Sequence, residues 1–146
     1  MTGVPHSILF VCGENALRSP MAEAMVKAYF GDRVYVDSIG VREGELDPMA
    51  VAAMAEIGID ISGHKPKRLD DLFDTNFDAI VTLSREAHDE ALEMMRNEAV
   101  EVILWPVDDP SVVDGNREVR LAAYRAVRDR LRTLIAEMFE KGADVP

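Results

Sequence analysis

The sequence predicts an α/β domain in which four parallel strands form a sheet with helices on both faces. Three observations lead there. Short apolar runs of strand length alternate with longer stretches of helical spacing, strand first. Strands separated by helices need crossover connections, and such connections make the strands parallel. The chain has 146 residues with 48% apolar content, enough for a single domain over 1–146 with a genuine core.

Residues 7–12 read as a buried strand, and Ser19 as N-cap with Pro20 at the first helical position opens a helix after it. Met21, Met25, Val26 and Tyr29 share one face of that helix, which ends at Gly31. Arg33 to Ile39 is the second strand, and Gly40 and Gly44 mark a loop. Asp47-Pro48 repeats the cap-then-proline start, for a helix through Val51, Met54 and Ala55 that stops at Gly58. The stretch 59–68 reads as irregular, and Leu69 to Phe73 as a short helical turn. Ala79 to Leu83 is the third strand, followed by a helix through Ala87, Ala91, Met94 and Met95. Val100 to Trp105 is the fourth, with Trp105 a core residue at its end. Pro106 to Gly115 is a loop. The last helix runs from Asn116 to Glu140 on an apolar face of Val119, Ala123, Val127, Leu131, Leu134 and Met138, its arginines mostly opposite.

Composition narrows the function classes. Sixteen basic against twenty-seven acidic residues give a net charge of −11, which disfavours nucleic acid and anionic membranes as partners. No apolar run approaches spanning length, and Met-Thr-Gly-Val-Pro-His carries no signal-peptide pattern. The single cysteine excludes an internal disulfide framework, so a cytoplasmic location is expected. With one Cys and the scattered His6, His64 and His88, neither a metal site nor a cofactor is expected.

That cysteine, Cys12, ends the apolar run Ile8-Leu9-Phe10-Val11, and Arg18 follows five residues after the loop begins. A strand handing over to a helix gathers backbone N–H groups and the positive end of the helix dipole. Such a place favours an anion, including a thiolate, and Arg18 can grip an oxyanion with two prongs. The pattern is a nucleophile in an anion cradle. Ligands of parallel sheets bind at the carboxyl ends of strands, where Cys12 and the loop after Trp105 both lie.

The stretch Val11-Cys12-Gly13-Glu14-Asn15-Ala16-Leu17-Arg18-Ser19-Pro20 resembles the phosphate loop of the low-molecular-weight protein tyrosine phosphatases, a superfamily with an arsenate reductase branch. Asp37-Ser38-Ile39-Gly40, Asp47-Pro48, the segment Gly58 to His64 and Asp109-Pro110 resemble further family segments in family order. The resemblance implies a phosphomonoester phosphatase, of the protein-tyrosine class, whose phosphorylated protein or small phosphomonoester is held by residues Gly13, Glu14, Asn15, Ala16, Leu17 and Arg18. It implies Cys12 as nucleophile forming a cysteinyl-phosphate, and Asp109 as general acid and then base, with Asp108 the neighbouring candidate. It also implies a hydrogen-bonded network of Asn15, Ser19, Ser38 and His64 behind the loop.

Several positions depart from the family pattern. Glu14 stands where a small glycine is usual, and a carboxylate beside an anion site is unfavourable unless it points outward. Leu17 stands where some members carry a second cysteine, and Ser111 and Val112 where tyrosine-specific members have aromatic walls. Ile80 to Ala87 and Trp105 to Pro110 look more like the thioredoxin-linked arsenate reductases. Their two further cysteines correspond here to Ser84 and Ala91, which cannot exchange disulfides. The alternatives are therefore an arsenate reductase using an external small thiol, or an inactive anion-binding homologue.

Overall fold

The computed structural model describes residues 4–72 and 76–139. Four strands, β1 (Ser7–Cys12), β2 (Tyr35–Gly40), β3 (Ala79–Thr82) and β4 (Glu101–Leu104), alternate with four helices. These are α1 (Arg18–Phe30), α2 (Pro48–Ala55), α3 (Arg85–Met94) and α4 (Arg117–Phe139). The sheet is wholly parallel, in the order β2-β1-β3-β4. β1 is therefore interior, and its side chains divide the core by the period of two that a strand imposes. Ile8, Phe10 and Cys12 join the large cluster beneath α1, α2 and α4. Leu9 and Val11 join Ile39, Ile80, Ala87 and Ala91 beneath α3. Helices thus cover both faces, as expected for a parallel sheet, three on one side and one on the other.

Strand positions follow the sequence to within one or two residues, and Trp105 is buried against Phe10 just past β4. The turn expected at 69–73 is a single 3-10 turn at Leu69–Asp71, its Phe73 end lying outside the described residues. The Glu140 end of the last helix and residues 1–3 also lie outside them.

Two helix expectations need correction. α1 begins at Arg18, not after Ser19, with Leu17 at its N-cap and no side-chain cap hydrogen bond. Ser19 is its second residue, so Pro20 falls inside the first turn, where its missing N–H costs nothing. The contrast with the other helices is instructive, since Asp47 caps α2 and Ser84 caps α3 through their side chains. α1 instead keeps its terminal N–H groups free of a competing side chain. In α4 the buried stripe is Leu121, Tyr124, Val127, Arg128, Leu131, Ile135 and Phe139, whereas Val119 is 50% exposed. Val127 and Leu131 of the expected stripe are buried and Leu134 and Met138 are partly so, but the apolar count missed Tyr124 and Arg128, which are polar by type. The Arg128 guanidinium lies inside, donating to the Ala53 carbonyl and to Glu56. With Arg125 it draws the Glu56 carboxyl down to about 2.

Tyr124 ties α4 to the functional end of the sheet. Its hydroxyl donates to Asp47, whose other carboxylate oxygen caps Met49 N–H and whose own N–H donates to Ala16 O. Burial, then the Asp47 carboxylate, pushes the Tyr124 phenol well above its usual range. Tyr124→Phe leaves a carboxylate oxygen without its donor, so we expect a loss of about 1–2 kcal/mol in urea unfolding with the fold retained.

Candidate active site

The loop between β1 and α1 turns on one residue. Asn15 has a left-handed backbone, φ 57°, and is fully buried. That turn brings its N–H to 3.3 Å from Cys12 Sγ. Ser19 Oγ, in the first turn of α1, lies 2.9 Å from the same sulfur. Beneath the loop, Cys12 pairs with Gly40 in the sheet register, and Val41 N–H and Arg42 N–H donate to the carbonyls of Cys12 and Gly13. The approach is so close that a Cβ on Gly40 would stand 2.5 Å from Glu14 C and 2.6 Å from Asn15 N. Glycine is therefore required there.

The Asn15 side chain is the hub of a buried network. Its amide nitrogen donates to Ser19 Oγ at 2.8 Å and to Ser38 Oγ at 2.9 Å. Its oxygen accepts Lys67 N–H at 2.9 Å, which fixes the orientation of the amide because a backbone N–H can only donate. His64 Nε2, also at 2.9 Å, is then the donor to that oxygen. Ser38 in turn donates to Glu23, a buried carboxylate bonded on its other oxygen by Lys27. Burial lowers the His64 pKa, with nearby Glu23 pulling it back up.

On the open side, a cavity of about 290 Å³ is lined by Cys12, Gly13, Glu14, Ala16, Leu17 and Arg18. Ser84, Asp109 and Ser111 complete it with Arg42 and Glu86. Arg18 is held by its Nη1, which donates to Val107 O at 2.9 Å and Leu83 O at 3.3 Å. Asp109 Oδ1 accepts from Ser111 N–H and Ser111 Oγ, at 2.9 and 2.6 Å, so one oxygen shapes the turn. Asp108 is exposed and does not line this cavity. Glu14 is exposed at the edge of this cavity, 3.6 Å from Arg42 Nε.

The structure thus brings Cys12, Arg18 and Asp109 to one cavity and gathers Asn15, Ser19, Ser38 and His64 behind it. Asn15, expected among the phosphate-holding residues, sits behind the loop rather than in the cavity lining. Sequence reading missed Glu23, Lys67, Arg42 and Glu86. Glu23 had a signal, as it lies one helical turn after Ser19 among Met21, Ala22 and Met25. Arg42 and Glu86 had none, being joined only by strand ends meeting across the sheet. His88, for which no partner was expected, bonds Thr82 Oγ1 at 2.9 Å. Among the described residues no cluster of three or more His, Cys, Asp or Glu is disposed to hold a metal, and no helix is long and apolar enough to cross a membrane.

Comparison with known proteins adds independent findings. A family model described as low molecular weight phosphotyrosine protein phosphatase matches residues 7–143. An arsenate reductase of Bacillus subtilis (strain 168) is 38% identical over 135 residues, covering 92% of this chain and 96% of that protein. A solved arsenate reductase in the phosphate binding state is similar at TM-score 0.76 and 27% identity, over 92% of this chain and 97% of that one. The YwlE arginine phosphatase from Geobacillus stearothermophilus is similar at TM-score 0.77 and 28% identity, over 94% of this chain and 92% of that one.

Two outcomes are expected from this geometry. Asn15→Ala loses the network and keeps the left-handed strain, whereas Asn15→Gly loses only the network. Equilibrium unfolding should rank the glycine variant about 1 kcal/mol more stable than the alanine variant. Separately, His64 has a folded pKa below its ordinary 6.5, so the unfolded chain binds the extra proton first. The stability this histidine contributes is therefore complete above pH 6.5 and declines as pH falls below it. His64→Gln should flatten the thermal midpoint between pH 7 and pH 5 relative to the parent; an unchanged slope would remove His64 from the account.

Proposed function

Because the chain belongs to the low molecular weight phosphotyrosine protein phosphatase family, we propose that it hydrolyses phosphomonoesters through a cysteinyl-phosphate on Cys12. One observation carries the reading: a single cavity holds the only thiol of the chain, an anchored guanidinium and a carboxyl group. Each supports one part of the chemistry.

The uncapped start of α1 and the loop before it supply donors for the nonbridging oxygens of a tetrahedral anion. Arg18, fixed through Nη1 by two carbonyls, keeps its remaining N–H groups for that anion. Asn15 N–H and the Ser19 hydroxyl are the donors an attacking thiolate needs. Ser19 accepts from the Asn15 amide, so its own proton goes either to the sulfur at 2.9 Å or to the more distant Ile39 O at 3.5 Å, and a thiolate is the stronger acceptor. Attack forms the S–P bond and breaks the P–O bond to the leaving group, which takes a proton from Asp109. Water then attacks phosphorus, gives its proton back to Asp109, and restores the thiolate. Among the described residues the cavity lining includes no aromatic side chain, so the reading stays with phosphomonoesters as a class.

A second reading is favoured by the 38% identity to a protein named arsenate reductase. Arsenate is a tetrahedral oxyanion that the same cradle fits. Cys12 would attack arsenic and expel water, and an external small thiol would then attack the Cys12 sulfur. Arsenite leaves with the electron pair, Cys12 is left in a mixed disulfide, and a second equivalent of thiol reduces it. The thiol must be external, because the chain has one cysteine. Ser84 caps α3, and Ala91 is fully buried against the sheet. The relatives' names favour this reading, and the residue content of the site favours hydrolysis.

Hydrolysis of p-nitrophenyl phosphate should proceed with no added metal. Cys12→Ser should reduce turnover by about 10³-fold or more while still binding inorganic phosphate. Asp109→Asn should slow kcat by about 10²-fold, most for poor leaving groups. If Asp108→Asn does so instead, the acid has been misassigned. Arsenite formed from arsenate only when glutathione is supplied would favour the second reading, and none with any thiol would end it.

A further inference from the structure

We propose that Arg42 is a specificity-determining residue of the cavity mouth, one that neutralises Glu14 and Glu86 so that a dianion can approach the loop. The inference rests on the oxyanion chemistry proposed above and adds a residue that neither the motif nor the family match singles out.

Arg42 is rooted in the loop itself, since its N–H donates to Gly13 O at 2.9 Å. Its guanidinium reaches Glu86 at 2.7 Å and Glu14 at 3.6 Å, joining the segment after β2 to α3 across the mouth. The pair lies directly on the residue after the nucleophile. A Cβ on Gly13 would stand 3.3 Å from Arg42 Nη2 and 3.5 Å from Glu86 Oε1, so the pair leaves little spare room over Gly13. Glu14 packs closely over Gly44, where an added Cβ would meet Glu14 Cβ at 2.7 Å and Oε1 at 3.1 Å, so its present position depends on that glycine. A carboxylate is thereby held beside an anion site, in a chain of net charge −11, with Arg42 as its counter-charge.

The three side chains are each about half exposed. Exposed ion pairs contribute little to stability. Their effect falls on the local field instead, which a dianionic substrate must enter against Glu14, Glu86 and Asp109. Without Arg42, two of those carboxylates lose their partner.

The test measures inorganic phosphate binding by calorimetry, with KM and kcat for p-nitrophenyl phosphate, on the full chain. Arg42→Ala should weaken phosphate roughly fivefold to twentyfold and raise KM in step, the effect on kcat staying within about threefold. Glu14→Gln should act in the opposite direction, and the Arg42→Ala/Glu14→Gln double variant should recover most of the lost affinity. Arg42→Lys, which keeps the charge, should fall between the parent and Arg42→Ala. The deficit should shrink at high salt, because screening acts on exposed charges. A parent that binds no phosphate overturns the oxyanion reading and this inference with it. A parent that binds phosphate, with Arg42→Ala binding equally well, overturns the inference alone. So does a loss in Arg42→Ala confined to kcat and thermal midpoint and unrepaired by Glu14→Gln.

Discussion

Asn15 holds a left-handed backbone in full burial, and the functional end of the molecule is arranged around keeping it there. A non-glycine residue in that region is strained by about 1 kcal/mol or more. Asparagine is among the few side chains that tolerate it. Here the amide repays the strain through bonds to Ser19, Ser38, His64 and Lys67 N–H. These partners come from α1, β2 and the segment that follows α2, so the loop conformation depends on the assembled sheet. The strained turn is in turn what directs Asn15 N–H at the Cys12 sulfur. Strain, network and nucleophile form one arrangement, and none of the three has a physical rationale without the others.

Charge imposes a second constraint. A surface of net −11 repels an anion such as the one proposed to bind the loop, so any attraction there has to be short-ranged. Three local sources supply it. The start of α1 is uncapped, Arg18 is fixed by carbonyls at the ends of two strands, and Arg42 sits at the mouth between two carboxylates. A side-chain cap on α1 would have strengthened the helix by about 1 kcal/mol. It would also have occupied an N–H group that an anion needs. Asp47, Ser84 and Asn116 cap the other three α-helices through their side chains, and the α-helix start without such a cap is the one beside the thiol, as the proposed anion site requires.

Local signals made much of this legible. Apolar runs located β1, β3 and β4, and alternation located β2, whose edge position leaves Tyr35 exposed and Asp37 half-buried. Asp47 and Ser84 show why capping rules work where nothing competes for the helix end. Ser19 shows where they fail, since its hydroxyl is drawn to sulfur. The α4 stripe was read only in its second half because Tyr124 and Arg128 are buried by their partners, Asp47, Ala53 O and Glu56, and those partners are distant in sequence. The same reason hid Arg42 and Glu86. Their pairing follows from the parallel register that sets Cys12 beside Gly40, and no spacing along the chain encodes it. Glu14 looked unfavourable in sequence for want of that partner.

What separates the two chemistries is the fate of the adduct on Cys12, not the way it forms. Phosphate and arsenate present the same tetrahedral face to the loop, so a cradle built for one admits the other. A phosphorus adduct leaves by water attack, which needs a proton acceptor in the cavity, and Asp109 lines it. An arsenic adduct leaves by reduction, which needs a thiol at the sulfur, and the chain has no second cysteine to supply one. Sulfur cannot be replaced by oxygen or carbon in that exchange. Similarity to arsenate reductases therefore bears on the cradle, while a carboxyl group in the cavity and the absence of a second cysteine are what support the proposed hydrolysis over reduction. A reductive cycle would have to recruit its second sulfur through the open mouth, past Glu14, Arg42 and Glu86, where the charge of the incoming thiol would decide its entry.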